Sequence, residues 1–330
     1  MSCDYCGFCC EILQKGDYVI KAGLIDSSEA FGKIADYESR ILKVGRNETP
    51  FLSSISSMAP SNRDGSVAAG HMWFYDQLPD GLGHDDPSTA SDEGGAMSSV
   101  SHYTGKRLEN HYQILKQAFG VTGSEAEAMR VNGQKVIAAQ REQALIQFKK
   151  TLEKILLSEQ TAVARVNTAG AKVAGKCGGL KSFATAANKI DAGLKDLTWD
   201  SIRELLKIGY LNGSPYRILM MNDKQKDKLD DIIFSKAHVS GLNTSRIDNN
   251  VTHIGNTAYG TNIQVMLSPY LKDDEIIALK PDDIVKVNWR PMAEKKRETT
   301  DDAELYEIIN EFTLRVCTPY AFAWLHNLKV

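Results

Sequence analysis

Apolar residues change their period several times along the chain, and each change marks an element. Over residues 134–159, Ala138, Leu145 and Leu152 recur every seven positions, with Phe148 and Ile155 between them and Arg141, Lys150 and Lys154 at polar positions. This spacing predicts one long helix of roughly 25 residues, nearly 40 Å at about 1.5 Å per residue, limited at its start by Gly133. Farther on, Thr198 is placed to cap a helix carrying Ile202, Leu205, Leu206 and Ile208, which Asn212-Gly213-Ser214-Pro215 stops. Residues 217–221 read as a short buried strand and 223–234 as a charged helix. Strand signals then dominate at 261–267, 275–279 and 284–289, each ended by turn residues or proline. Over 311–316, Phe312, Leu314 and Val316 alternate with Thr313 and Arg315, which predicts a strand with one buried face. The fold class is α+β.

The first part of the chain is less regular. Up to about residue 47, polar and apolar residues mix without a sustained period, the pattern of an arm that orders against partners. After Thr49-Pro50-Phe51 comes an aromatic run from His71 to Leu78, then a polar, Gly-rich stretch to Gly105, then Asn110 to Leu115. That order predicts strand, long loop, strand. Connections longer than about 15 residues inside a domain are usually functional, so the hairpin is expected to project outward. Its aromatics Trp73, Phe74, Tyr75 and Tyr112 have two readings, core packing or anchors on a neighbouring subunit. The projecting position favours the second. Residues 161–179, rich in Ala and Gly, read as a flexible crossing into a second unit.

Composition narrows the function classes. The 330 residues are 42% hydrophobic, enough for a sizeable core, and 39 basic against 42 acidic residues leave a net charge of -3. Such a balance argues against a protein that grips nucleic-acid phosphates. No run approaches the roughly 18 apolar residues of a membrane span, and the apolar stretch 321–325 is far shorter. Asp4 and Glu11 interrupt what a signal peptide would need, so assembly in a cytoplasm is expected. Four of the six cysteines, Cys3, Cys6, Cys9 and Cys10, crowd the first ten residues and leave Cys177 and Cys317 isolated, which is no disulfide framework.

Candidate chemistry is sparse. Cys3, Cys6, Cys9 and Cys10 are weak metal candidates, because structural zinc needs four well-placed ligands and a terminal arm rarely supplies them. The segment from Gly170 to Cys177 imitates a phosphate loop but ends in Cys177 where a Ser or Thr hydroxyl should meet magnesium, and Gly178-Gly179 follow where a helix must begin. His71, His84, His102 and His111 lie near Asp76, Asp80, Asp85 and Asp86 at spacings that fit no ligand pattern. The pairs Asp273-Asp274, Asp282-Asp283 and Asp301-Asp302 sit beside turns, where carboxylates commonly cap. No catalytic residue, cofactor or resident metal is expected.

The order of short motifs, taken together, resembles one family. Thr49-Pro50-Phe51 is followed by Trp73-x-x-Asp76-x-Leu78, Asp92-Glu93-Gly94, Arg107-x-x-Asn110-x-x-Gln113-Ile114 and Val121-Thr122-Gly123-Ser124. Gly179-Leu180, the 197–215 helix and turn, Tyr259-Gly260, Trp289-Arg290-Pro291 and Glu311-x-x-Leu314-x-Val316-x-x-Pro319-x-Ala321 continue the series. Over residues 49–328 the chain is similar to the major capsid proteins of tailed bacteriophages with the Hong Kong 97 fold. The resemblance implies an N-terminal arm (1–48), an extended loop (71–119) and a peripheral domain (49–70, 120–161 and 290–330) with its spine helix at 134–159. It also implies an axial domain (162–289). By the same resemblance the subunit forms hexamers and pentamers of an icosahedral head around double-stranded DNA, held without sequence-specific contacts. Its partners would be a scaffolding protein, a portal and, as an optional addition, a decoration protein; its place is the virion, after assembly in the host cytoplasm. The rival readings are the shell protein of an encapsulin-like compartment and, last, a nucleotide-dependent enzyme using Gly170 to Lys176.

Overall fold

The computed structural model describes residues 48–61, 70–78, 93–94, 105–130, 133–168, 170–237, 252–257 and 259–330. The expected arm with its four cysteines, and most of the long loop with His84, His102, Asp80, Asp85 and Asp86, lie outside the described residues. The helices are α1 (Pro50–Ser54), α2 (Gly123–Ala126), α3 (Val136–Leu157), α4 (Trp199–Leu211) and α5 (Asp223–Ala237). One sheet has the order β1-β12-β13-β4, from Ser56–Met58 (β1), Ile284–Arg297 (β12), Ala303–Val316 (β13) and Gln113–Thr122 (β4). A six-stranded sheet runs β7-β14-β11-β8-β10-β9, from Lys189–Asp191, Phe322–His326, Ile276–Leu279, Ile218–Met221, Gly260–Leu267 and His253–Thr257. Two hairpins complete it: His71–Tyr75 (β2) with Lys106–Asn110 (β3), and Val166–Thr168 (β5) with Ala171–Val173 (β6).

The long helix forms where the spacing predicts it, as α3 with 22 residues, roughly 33 Å of rod. Its buried stripe is rotated slightly from the seven-residue repeat. Ala139, Ala144, Phe148, Leu152, Leu156 and Leu157 face the sheet, whereas Ala138 and Leu145 are half-buried at the margin. The small alanines let the helix lie close against β4 and β13, where Phe148 packs with Phe119 and Ile308.

Thr198 caps α4 as expected. Its hydroxyl accepts from the Ser201 backbone N–H at 3.2 Å, and the Ser201 hydroxyl accepts from the Thr198 N–H at 3.0 Å. The runs Ile218–Met221 and Ile276–Leu279 are buried at every position. Alternation explains why. Ile218, Met220, Ile277 and Leu279 join the core shared with α1, α3 and the four-stranded sheet, while Leu219, Met221, Ile276 and Ala278 point into a second core beneath α4.

Three expectations are corrected. The strand expected at 311–316 begins at Ala303, and it is buried on both faces rather than one: Ile308 to Leu314 are all below a tenth exposed. Its second face is covered by charge, since the Glu311 carboxylate receives the Arg165 guanidinium at 2.6 Å and the Arg290 guanidinium at 2.7 Å. The crossing expected to be flexible instead folds back as β5–β6, with Gly170 supplying the turn at φ +88°, and carries Arg165 onto β13. Third, β12 runs eight residues past the expected Trp289. Register shifts between Asn288 and Arg290 and again before Ala293 take up Pro291, which has no N–H for the ladder. Sheet membership also divides the chain differently from the expected boundaries. Residues 284–289, expected in the axial domain, belong to the four-stranded sheet, and β14, expected in the peripheral domain, sits between β7 and β11.

The Thr49-Pro50-Phe51 motif has a local physical meaning. Pro50 opens α1, and the free backbone N–H groups of Phe51 and Leu52 both donate at 2.7 Å to the carboxylate of Glu153, a fully buried residue of α3. Burial outweighs these two hydrogen bonds and raises the Glu153 carboxyl from 4.5 to about 7. A carboxyl raised by folding contributes stability that is fully present below its unfolded value near 4.5 and is lost as pH rises through about 7. Urea unfolding at pH 5 and pH 8 is therefore expected to show a loss of order 3 kcal/mol that Glu153→Gln abolishes. An unchanged pH dependence in the variant would refute the assignment.

Candidate functional site

The β2–β3 hairpin presents two different faces because its residues alternate. Trp73 turns inward and is 5% exposed; its indole N–H donates to the Val316 carbonyl at 2.8 Å, and its ring lies 6.0 Å from Phe183 and 5.6 Å from His71. Tyr112, just past β3, is buried against Trp289 at 5.3 Å, and burial, reinforced by the Glu311 carboxylate, pushes its phenol up to about 12. On the outer face Met72 and Phe74 are 43% and 73% exposed, and the pairing register sets them opposite Glu109 and Arg107. Tyr75 is half-buried, and Leu78 beyond it is 86% exposed.

The hairpin root is fixed by amide side chains. Asn110, fully buried, donates to the carbonyls of Leu314 at 2.7 Å and Gly178 at 3.0 Å, and accepts from the N–H groups of Gly178 at 2.7 Å and His111 at 2.9 Å. Three residues on, the Gln113 carbonyl oxygen accepts from Cys177 N–H at 3.0 Å and from Gln160 at 2.8 Å. Both amides thus hold the backbone at 177–178. Gly179 follows because a Cβ there would stand 2.3 Å from the Ser158 carbonyl at the end of α3. The Asn110-x-x-Gln113 spacing was the sequence signal for this clamp, whose partner segment lies more than sixty residues away.

Of the four aromatics singled out in the sequence, Trp73 and Tyr112 pack inside their own subunit, and Phe74 is the one displayed. The phosphate-loop imitation is the turn and second strand of a β-hairpin: Lys176 is exposed, only a four-residue 3-10 turn, Leu180–Phe183, follows Gly178-Gly179, and Cys177 is buried, its thiol pushed up to about 11. It presents no cradle for phosphate. Among the described residues no group of His, Cys, Asp and Glu is placed to hold a metal ion, and His71 and His111 face ring stacks and backbone. The acid pairs are used locally: Asp273 binds Lys224 at 2.8 Å, Asp282 binds Arg217 at 3.0 Å, Asp283 binds Lys280 at 2.8 Å, and the Asp302 carbonyl accepts from Gly123. What the arrangement offers is a hairpin locked to the body on one face and showing Met72 and Phe74 beside the Arg107–Glu109 ion pair on the other, the form of a contact surface between molecules.

Comparison with solved structures identifies the architecture. The chain is similar to the capsid of cyanophage A-1(L), with TM-score 0.61 and 13% identity over 92% of this chain and 99% of that one. It is similar to the capsid of a native GTA particle, with TM-score 0.61 and 12% identity over 91% and 97%. It is also similar to the holo-SrpI encapsulin complex of Synechococcus elongatus PCC 7942, with TM-score 0.56 and 12% identity over 93% and 96%. At such identities the likeness establishes the fold, the Hong Kong 97 type, which viral heads and compartment shells share. No curated protein sequence matches the chain. The family model decides between the two kinds of shell: the SU10 major capsid protein matches residues 20–329. The chain belongs to the SU10 major capsid protein family and is a major capsid protein of a tailed-phage head, a self-associating structural subunit and not an enzyme.

Proposed function

We propose that copies of this chain form hexameric and pentameric rings that close into an icosahedral head around double-stranded DNA, each hairpin lying across a neighbouring copy. The six-stranded sheet with α4 and α5 forms the axial domain at the ring centres. The four-stranded sheet with α3 forms the peripheral domain between rings. A scaffolding protein, a portal and an optional decoration protein assemble with it in the host cytoplasm. The near-neutral charge suits a wall that confines DNA without tight phosphate contacts.

The observation that carries this reading is the two-faced hairpin. Its inner face is pinned by Trp73, Asn110 and Tyr112, while Met72, Phe74 and Leu78 stand exposed, an arrangement that gains burial against another molecule. Deleting residues 80–104 leaves both strands and a short connection between them. That variant is expected to keep wild-type thermal unfolding and to give no closed shells by negative-stain electron microscopy. Normal closed shells from it would sink the reading.

A further inference from the structure

On the helical side of the four-stranded sheet, α3 packs over β4 and β13, and a groove of about 220 Å³ opens beside it between α1, β1 and β12. Its walls are apolar, with Leu52, Ile55, Phe148, Leu152 and Met292, and its charges are the amines of Lys149 and Lys286, with no acid among the lining residues. Lys286 is half-buried and forms no ion pair among the described residues; burial alone acts on it and lowers the pKa of its amine. At the same groove the side-chain oxygen of Asn310, a fully buried residue, has no donor among the described residues. β1, with Ser56 and Ser57 exposed, borders the groove as the edge strand of its sheet. An apolar groove with a cation lacking its counter-charge suits an apolar side chain with a carboxylate close by.

The hairpin carries that pair. Leu78 is 86% exposed, and Asp76, also exposed, forms no ion pair among the described residues. Two residues apart, the side chains leave an extended chain on the same side, about 6.6 Å from each other. An aliphatic cavity of about 150 Å³ holds a benzene-sized group, so this groove has room for a leucine side chain. We infer that the groove receives the hairpin of an adjacent copy of this chain, with Leu78 entering between Phe148, Leu152 and Met292 and the Asp76 carboxylate meeting Lys286. This rests on the reading that the hairpin crosses a neighbour, and it adds where the hairpin lands.

The test is made on shells assembled from the full chain. With Ser56→Cys and Leu78→Cys together, mild oxidation is expected to give a ladder of linked chains on a non-reducing gel, absent from either single variant. Closed shells without that ladder overturn the assignment, as does a link confined within one chain. Charge reversal gives a second reading: Lys286→Glu and Asp76→Lys are each expected to cut the yield of closed shells at least tenfold, and the double variant to restore it. Leu78→Asp, at an exposed position, tests the apolar half without threatening the fold, and normal shells from it count against the inference. If the 80–104 deletion blocks assembly while no ladder forms, the hairpin's role stands and the groove is the wrong landing site. If that deletion assembles normally, the underlying reading fails first.

Discussion

Replacing Asn110 with alanine is expected to lower the unfolding free energy of the subunit by about 4 kcal/mol, measured by urea denaturation. The side chain is fully buried and its amide makes four hydrogen bonds to backbone groups from three separate stretches of chain. Alanine leaves the Leu314 and Gly178 carbonyls and the Gly178 and His111 N–H groups without that partner, in a site closed to water. Each orphaned group costs about 1–3 kcal/mol, and partial relaxation keeps the sum below the simple total. Asn110→Asp is expected to be at least as harmful, because it sets a carboxylate oxygen against two carbonyl oxygens. A change below about 1 kcal/mol for the alanine variant would mean that the clamp is not what holds the hairpin root.

Lys181→Met is expected to cost about 3–5 kcal/mol in the same assay. The Lys181 ammonium and the Glu275 carboxylate form a buried ion pair, with side chains 5% and 1% exposed. Glu275 also accepts from the Trp324 indole at 3.1 Å and from the Lys272 N–H at 2.9 Å, and the ammonium lies 5.5 Å from the Trp324 ring centre. The pair therefore ties the turn Leu180–Phe183 to the start of β11 and to β14. Removing the cation alone strands a carboxylate in a low-dielectric site. Pairing Lys181→Met with Glu275→Gln removes both charges and keeps an acceptor for Trp324, so it is expected to recover a substantial part of the loss. No recovery would show that packing of the lysine stem, and not charge, dominates.

Elements with strong periods were legible in the sequence. The α3 helix, the capped α4 and the buried run at 218–221 each carry their own signal, and the ordered motifs pointed to the family. What was not legible depends on partners distant in sequence. Residues 290–297 are exposed at every position and five of the eight are charged, a pattern that reads as loop; they are strand because β13 pairs with them and because Lys296 and Arg297 meet Glu304 and Glu307. The same glutamates broke the apolar alternation of residues 303–310 and hid the first half of β13. Burial of its second face depended on Arg165, carried there by a Gly-rich hairpin with no apolar period. Trp73 and Tyr112 were legible as aromatic anchors. Their inward direction was not, because it depends on where Val316 and Trp289 lie.

The position of β14 inside the six-stranded sheet sets a clock on synthesis. Every other strand of that sheet precedes residue 322, yet β7 pairs only with β14, and β11 has β14 as one of its two neighbours. A ribosome that has made the chain as far as β13 has therefore made a sheet with a gap, its unpaired strand edges held open until 322–326 emerge. A chain that stops before residue 322 leaves β7 without a partner strand and one side of β11 open, so the last strand to be made is the one that closes the sheet.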